Sequence, residues 1–186
     1  MTKNFKKYLI LGFLFFFPIF VYVFLSTGIN NFAKLPVLTY GVNDIVDLEG
    51  NLSKVSLRDN ISIVGFWGGD IENKKSEALN LNQKIYKRFY EFQDFQFVFL
   101  YNIEESKAIE DLKLELISGV GTDLKKWNFI PTSQSIINDV FNSFKTNIEL
   151  DENFSTPYVF IVDRDLSLRG RDDDEDAGML FGFNSQ

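Results

Sequence analysis

The sequence predicts an α/β domain, with a central mixed sheet flanked by helices, that follows one N-terminal transmembrane helix. Two observations support this architecture. Three short apolar runs, 61–67, 97–101 and 158–162, alternate with segments of helical periodicity. Strands that are apolar on both faces are typical of a sheet that is covered on both sides. The second observation is an uncharged apolar segment at 8–25, ahead of all three runs.

The first element is this apolar segment, YLILGFLFFFPIFVYVFL. It is long enough to cross the roughly 30 Å hydrocarbon core of a membrane as a helix. A cleaved signal peptide is the alternative, but its apolar stretch is usually ~7–15 residues long and ends at a small-residue cleavage site, which STGINNFAKL lacks. We therefore interpret residues 8–26 as an uncleaved anchor. Lysines in the segment 1–7 predict a cytoplasmic N-terminus, with the domain on the periplasmic side of the cytoplasmic membrane.

The segment after the anchor is predicted to be a linker over 27–43 that ends in an extended stretch, because it carries Gly, Asn and Pro and little periodicity. The domain itself is predicted over 44–186. It would begin with a β-hairpin over 44–57, since apolar and polar residues alternate on both sides of the turn sequence EGN.

Three amphipathic helices are predicted between the strands, over 76–92, 105–117 and 135–144. In the first, an apolar side chain recurs at every third or fourth residue and is expected to face the core. The residues of this face are Ala78, Leu81, Ile85, Phe89 and Phe92. The segment 158–169 closes the domain and is predicted to be an antiparallel hairpin.

Charge limits the partners that this domain can bind. The chain has 19 basic and 26 acidic side chains and a formal net charge of −7, and three of its lysines precede the anchor. No nucleic acid is expected to bind, because phosphate contacts need clustered Lys and Arg, and anionic lipid should repel the domain. The sequence LNQKIYKRFYEFQDF interleaves aromatic and basic residues, but its helical spacing predicts core packing beside a solvated basic stripe. No nucleotide is expected either, since GFWGGD lacks a phosphate-binding pattern.

A strand–loop–helix corner in ISIVGFWGGDIENKK is the candidate site. The strand ends at Trp67, and Gly68 and Gly69 let the backbone turn tightly. In many small redox proteins this corner carries reactive cysteines. Pro157 directly precedes a later strand, where such folds often have a cis-proline; a trans proline that begins a strand is the alternative.

In this order, the elements resemble the Sco/SenC family, which are membrane-anchored, thioredoxin-like copper chaperones for the assembly of cytochrome c oxidase. The stretches that carry the resemblance are FLSTGINNFAKLP, DLEGN, IVGFW, LNQKIYKRFYEF, WNFIPTSQSIINDVF and VFIVDRDLSLRGR. The resemblance implies a thioredoxin-like fold with an N-terminal β-hairpin extension. The family usually continues into a C-terminal helix, whereas this chain ends in GMLFGFNSQ, so we expect either a naturally short domain or a truncated one.

The resemblance also implies a copper site that this chain cannot form. The family binds copper through a Cys-x-x-x-Cys pair in the loop after IVGFW and through a histidine before the later strand. Here Phe154 lies near the place of the histidine, and the residues near the cysteine positions are Asp70, Ile71, Asn73 and Lys74. The chain has no cysteine and no histidine. Copper(I) binding of the family type and thiol–disulfide exchange are therefore excluded, and no cofactor is predicted.

These departures predict a protein without catalytic residues that binds a protein partner, in the respiratory oxidase assembly that the resemblance suggests. The corner would display Trp67, Asp70 and Glu72 to that partner, with core packing of Trp67 as the alternative. Two alternatives stay open. One is a decayed or truncated copy with no function of its own. The other is a hard-cation site, for example for Ca²⁺. The candidate ligands of this site are Asp163, Asp165, Asp172, Asp173 and Asp174. A solvated acidic turn also explains these residues.

Overall fold

The computed structural model describes residues 3–26, 35–120 and 123–170. The chain divides into two units, Met1–Lys34 and Leu35–Gln186. Helix α1 (Lys3–Ser26) is the described part of the first unit. Its stretch Phe5–Phe24 is long and apolar enough to cross a membrane, and none of it is buried. The predicted N-terminal helix is thereby confirmed, and it is a candidate membrane span.

The second unit is built on one mixed sheet, in which the described residues form six strands in the order β1-β6-β5-β2-β3-β4. The strands are β1 (Val37–Tyr40), β2 (Ile61–Gly68), β3 (Phe95–Asn102), β4 (Trp127–Thr132), β5 (Val159–Val162) and β6 (Ser167–Arg169). The central strands β2, β3 and β4 run parallel. The other neighbours, β2 with β5, β5 with β6 and β6 with β1, are antiparallel. The predicted mixed sheet is thus confirmed, with the β5–β6 hairpin where the sequence placed it.

Helices cover both faces of this sheet, so β2 and β3 are buried on both sides. The helices are α2 (Lys75–Leu81), α3 (Lys87–Phe89), α4 (Ser106–Val120) and α5 (Gln134–Ser143). Phe66 on β2 packs edge-on against Phe141 and Phe144 at the α5 face. Trp67, the next residue, belongs to the core on the opposite face. This alternation of two apolar faces explains why the strands read as continuous apolar runs.

The predicted N-terminal β-hairpin over 44–57 is wrong, because this segment forms consecutive turns. The buried Asn51 side chain donates to the carbonyls of Ile45 and Val55 and accepts from the Val55 N–H. Its amide therefore satisfies backbone groups that a second strand would otherwise pair. The strand that does join the sheet is β1, which lies inside the segment predicted as the linker 27–43 and pairs with β6.

The helix predicted over 76–92 is interrupted by a π-helical segment, Asn82–Tyr86, between α2 and α3. One extra residue per turn rotates everything that follows around the helix axis. Tyr86 is therefore fully buried, whereas Phe89 is 44% exposed and Phe92 63% exposed. The prediction that Phe89 faces the core is wrong for this reason. The prediction for Phe92 is wrong because α3 ends at Phe89 and Phe92 lies in the turn that follows.

The remaining helices follow the sequence prediction to within a few residues, and strand β4 was not predicted. Helix α4 continues through Gly119 to Val120, and α5 begins after Ser133, whose side chain accepts the backbone N–H of Ile136. Strand β4 is an edge strand in which buried residues alternate irregularly with partly buried ones, among them Asn128 and Pro131, so it lacks the continuous apolar run that identified the central strands.

Candidate functional site

The corner after β2 is held by backbone contacts to the loop that precedes β5. Gly69 donates its N–H to the Asn153 carbonyl at 2.9 Å, and Thr156 donates to the Phe66 carbonyl at 2.9 Å. Gly68 has φ +52°, and a Cβ added there would lie 1.9 Å from the Asn153 oxygen. Only glycine fits this approach without displacing backbone. The structure therefore brings together the predicted Gly68–Gly69 turn and the loop that contains Phe154.

The loop that carries Phe154 is organised by the Asp151 side chain, which accepts the backbone N–H groups of Asn153 and Ser155, each at 2.9 Å. Phe154 adopts φ +58°, and its half-buried ring packs against the core on the α5 face. Its carbonyl, rather than its side chain, faces Gly68. At Phe154, which was predicted to lie near the place of the family's histidine, the chain thus turns a backbone carbonyl toward the corner.

The Trp67 side chain is completely buried, so the prediction that the corner displays it is wrong. Its ring stacks on Phe99 with centroids 4.0 Å apart. Ile71 is buried as well, at 1% exposure. These two side chains turn inward because the strand and the following helical turn share one apolar core. Their packing in that core anchors both ends of the loop between them.

Lys74, one of the residues predicted to lie near the family's cysteine positions, points into the protein and is only 7% exposed. Its Nζ donates to the Thr156 carbonyl at 3.0 Å and lies 3.3 Å from Oε2 of Glu77. Burial raises the pKa of Glu77 above its ordinary value of 4.5, while the Lys74 ammonium and the Trp67 indole oppose that shift. Nε1 of Trp67 and Oε1 of Glu77 still form no hydrogen bond of standard geometry. The interior of the corner therefore contains the Lys74–Glu77 ion pair, in which Lys74 also donates a hydrogen bond to the Thr156 carbonyl.

The outer surface of the corner is polar. The Asn73 amide donates to the Asp70 carboxylate at 2.8 Å. Exposed Glu72 lies 3.2 Å from Lys75, which also contacts Glu115 at 3.2 Å. The outer surface of the corner therefore carries two carboxylates and the Lys75 ammonium, while the Lys74 ammonium is inside.

Pro157 is exposed and follows an ordinary trans peptide bond, since no described peptide bond is cis. The expected cis-proline is therefore wrong, and the trans alternative holds. The preceding residue, Thr156, is fixed on both sides, because its N–H donates to Phe66 and its carbonyl accepts from Lys74.

Asp163, proposed as a calcium ligand, is occupied within the β5–β6 hairpin. It accepts the Ser167 N–H at 2.9 Å, the Asp165 N–H at 3.0 Å and Nε of Arg169 at 2.6 Å. Partial burial acts to raise its pKa, but these donors and the Arg169 charge hold the pKa below 3.8. Within the described residues, no group of three acidic side chains could hold a metal ion. The other proposed ligands, Asp172, Asp173 and Asp174, lie outside the described residues.

Glu77 and the Thr156 carbonyl are the parts of the site that sequence reasoning missed. Lys74 and Glu77 are three residues apart, a spacing that brings helical side chains together, so the pair itself was visible in the sequence. Its burial was not, since Thr156 comes 82 residues later in the chain.

No family model matches the chain, and no curated protein matches its sequence. Its fold is similar to that of BsSco, a member of the Sco family of cytochrome c oxidase assembly proteins in which a disulfide switch was identified. That likeness has 18% identity and a TM-score of 0.51, over 74% of this chain and 86% of the other. The soluble domain of Sco1 from Bacillus subtilis has 20% identity and a TM-score of 0.48, over 74% and 83% of the two chains.

A third similar structure is the thioredoxin domain of a thiol-disulfide oxidoreductase from Bacteroides vulgatus. It has 16% identity and a TM-score of 0.45, over 75% of this chain and 87% of the other. The likeness to BsSco establishes the fold. The predicted thioredoxin-like fold is confirmed, and the absence of cysteine excludes thiol–disulfide chemistry at its corner.

Proposed function

We propose that this chain is a non-catalytic, Sco-type accessory protein, anchored in the membrane, that binds a protein partner through the outer surface of the corner. One observation carries the proposal. The backbone of the corner is held against the loop before β5, while the interior that would house reactive groups is filled by the Lys74–Glu77 pair on the Thr156 carbonyl. A corner closed in this way keeps a fixed conformation but has no thiol for redox or copper chemistry. A fixed conformation favours binding, because less conformational entropy is lost when the partner binds.

The partner surface in this proposal is basic or rich in hydrogen-bond donors. Asp70, Glu72 and Asn73 face outward beside Lys75, which pairs with Glu72, and both carboxylates are acceptors that attract cations. Oxidase assembly is the setting in which BsSco is described, and we extend that setting to this chain as part of the proposal. The partner would then be an oxidase subunit or a cysteine-bearing protein of the same fold.

The proposed location is the cytoplasmic membrane, with the N-terminus in the cytoplasm and the domain on the periplasmic side. Because the chain has no cysteine, single cysteines report the side directly. Leu52 is 93% exposed, and we expect Leu52→Cys to react with a membrane-impermeant maleimide in intact bacterial spheroplasts. Thr2→Cys is expected to react only after permeabilisation. Labelling of Thr2→Cys alone in intact spheroplasts would reverse the proposed orientation.

The proposed binding role is tested by co-purification of the full chain from its native membranes in mild detergent. We expect Asp70→Lys combined with Glu72→Lys to lower recovery of the partner by roughly tenfold, because opposite charges at an interface become like charges. The matched control is Asp111→Lys with Asp139→Lys, which changes the same charge at two exposed residues on α4 and α5. Equal recovery with both double variants, at equal thermal stability, would contradict the proposed surface.

A further inference from the structure

The π-helical segment leaves a surface that the sequence pattern does not reveal. Phe89, Tyr90 and Phe92 are exposed by 44%, 36% and 63% of their surfaces. Lys87 and Arg88 are exposed beside them. We call these five residues the aromatic–basic surface.

The aromatic–basic surface is held in one conformation by the domain beneath it. The Phe89 and Phe92 rings lie 6.1 Å apart, and Phe89 packs 5.8 Å from the buried ring of Phe95. Nζ of Lys126 donates to the backbone carbonyls of Phe92 and Gln93. The exposed rings are therefore presented by a fixed turn.

The charge of this surface is opposite to that of the chain. Between positions 84 and 92 the sequence carries three basic side chains and one acidic residue, Glu91, whose carboxylate accepts the Tyr90 hydroxyl at 3.3 Å. The whole chain is acidic, at a formal charge of −7. Near an anionic surface, the acidic parts of such a domain are repelled and this basic part is attracted. The electrostatic field therefore favours orientations in which the aromatic–basic surface faces the anionic surface.

We propose that the aromatic–basic surface docks on the headgroup region of a membrane that contains anionic phospholipid. Tyr is enriched at the membrane–water interface, Phe is common on the apolar face of segments that bind there, and Lys and Arg next to them bind anionic headgroups. Helix α1 can hold the chain in a membrane, so lipid is present at a high effective concentration and weak contacts suffice. The domain as a whole is expected to be repelled by anionic lipid, and this surface is the local exception. The inference needs the anchor but not the protein partner proposed above.

The experiment uses the full chain reconstituted in vesicles of phosphatidylcholine with or without about one third phosphatidylglycerol. An environment-sensitive fluorophore is placed on Gln93→Cys, next to the surface, and separately on Leu52→Cys as the reference site. Phospholipids with a spin label in the acyl chain quench a fluorophore that reaches the interface. We expect quenching at Gln93 to exceed that at Leu52 by about twofold with phosphatidylglycerol, and to fall to the Leu52 level without it.

The charge requirement is tested in the same vesicles with Lys87→Glu combined with Arg88→Glu, which should abolish the extra quenching at Gln93. The matched control, Lys107→Glu with Lys145→Glu, makes the same charge change at two other exposed lysines and should leave it intact. Quenching at Gln93 no greater than at Leu52, or unchanged in the Lys87→Glu and Arg88→Glu variant, would overturn the proposal. A third outcome is that the Gln93 fluorophore is shielded from water but is not quenched by the spin-labelled lipid, and that this shielding increases with the number of protein molecules per vesicle. That result would overturn the proposal in favour of contact between two copies of the chain.

Discussion

Replacing Gly68 with alanine is expected to destabilise the domain by about 2–5 kcal/mol. The left-handed backbone at φ +52° costs a residue with a Cβ about 1–2 kcal/mol. The new Cβ would also lie 1.9 Å from the Asn153 carbonyl oxygen and 2.6 Å from that of Phe154. Overpacking of this kind typically costs about 1–3 kcal/mol. Because the atoms in contact are backbone atoms of Asn153 and Phe154, the clash is relieved only if the corner and the loop move apart.

Two other glycines separate these causes. Gly41 has φ +72° but nothing within 4 Å of an added Cβ, so Gly41→Ala is expected to show the backbone cost alone. Gly69 has no positive φ, and its nearest neighbour would lie at 3.9 Å, so Gly69→Ala should change stability little. Urea denaturation of the full chain in mild detergent gives the free energies of unfolding, followed by the fluorescence of the buried Trp67 and Trp127. A Gly68→Ala cost equal to that of Gly41→Ala would contradict the contact between corner and loop.

The elements that were predicted correctly are those whose residue pattern clearly favours one type of secondary structure. The apolar runs that became β2 and β3 are apolar on both faces, shorter than a typical buried helix and bounded by turn residues, and these features favour the centre of a sheet. The segment 44–57 shows the limit, because its alternating pattern suits a hairpin and also suits turns. The buried Asn51 amide, with its three hydrogen bonds to backbone groups, decides for turns.

The candidate site was predicted in position but not in orientation. The Gly68–Gly69 turn and the loop of Phe154 do come together. The sequence alone does not show that Lys74 points inward beside Trp67, because a lysine is buried only where partners satisfy its charge. Those partners are Glu77, nearby, and the Thr156 carbonyl, far along the chain. The π-helical segment 82–86 is a second case, since the apolar spacing continued as if the helix were regular.

Replacing Lys74 with methionine is expected to destabilise the domain by about 3–5 kcal/mol at neutral pH, because it leaves the Glu77 carboxylate buried without its cation. The Thr156 carbonyl would also lose its donor. Lys75→Met is the matched control one residue away. Its ion pairs with Glu72 and Glu115 are at the surface, where such pairs contribute little. The free energies of unfolding by urea should therefore differ strongly between two adjacent Lys→Met variants.

The pH dependence of Lys74→Met distinguishes the loss of charge compensation from a simple packing defect. The pKa of Glu77 in the folded chain is already above 4.5, and removing the ammonium group that opposes this shift should raise it further. The folded state then binds more protons than the unfolded state, so stability falls as pH rises through the folded pKa. Well below 4.5 the carboxyl group is neutral in both states, and the deficit relative to the unmodified chain should shrink as the pH falls toward that range.

A double variant, Lys74→Met with Glu77→Leu, removes both charges from the interior. It should recover most of the stability lost in Lys74→Met and abolish the pH dependence, since a buried ion pair is often replaced by apolar residues at little cost. A deficit in Lys74→Met that is the same at pH 4.5 and pH 7, or that Glu77→Leu leaves unchanged, would show that the ammonium group does not compensate Glu77. The corner would then keep its shape through the Gly68 contact and the apolar core around Trp67, with no contribution from the ion pair.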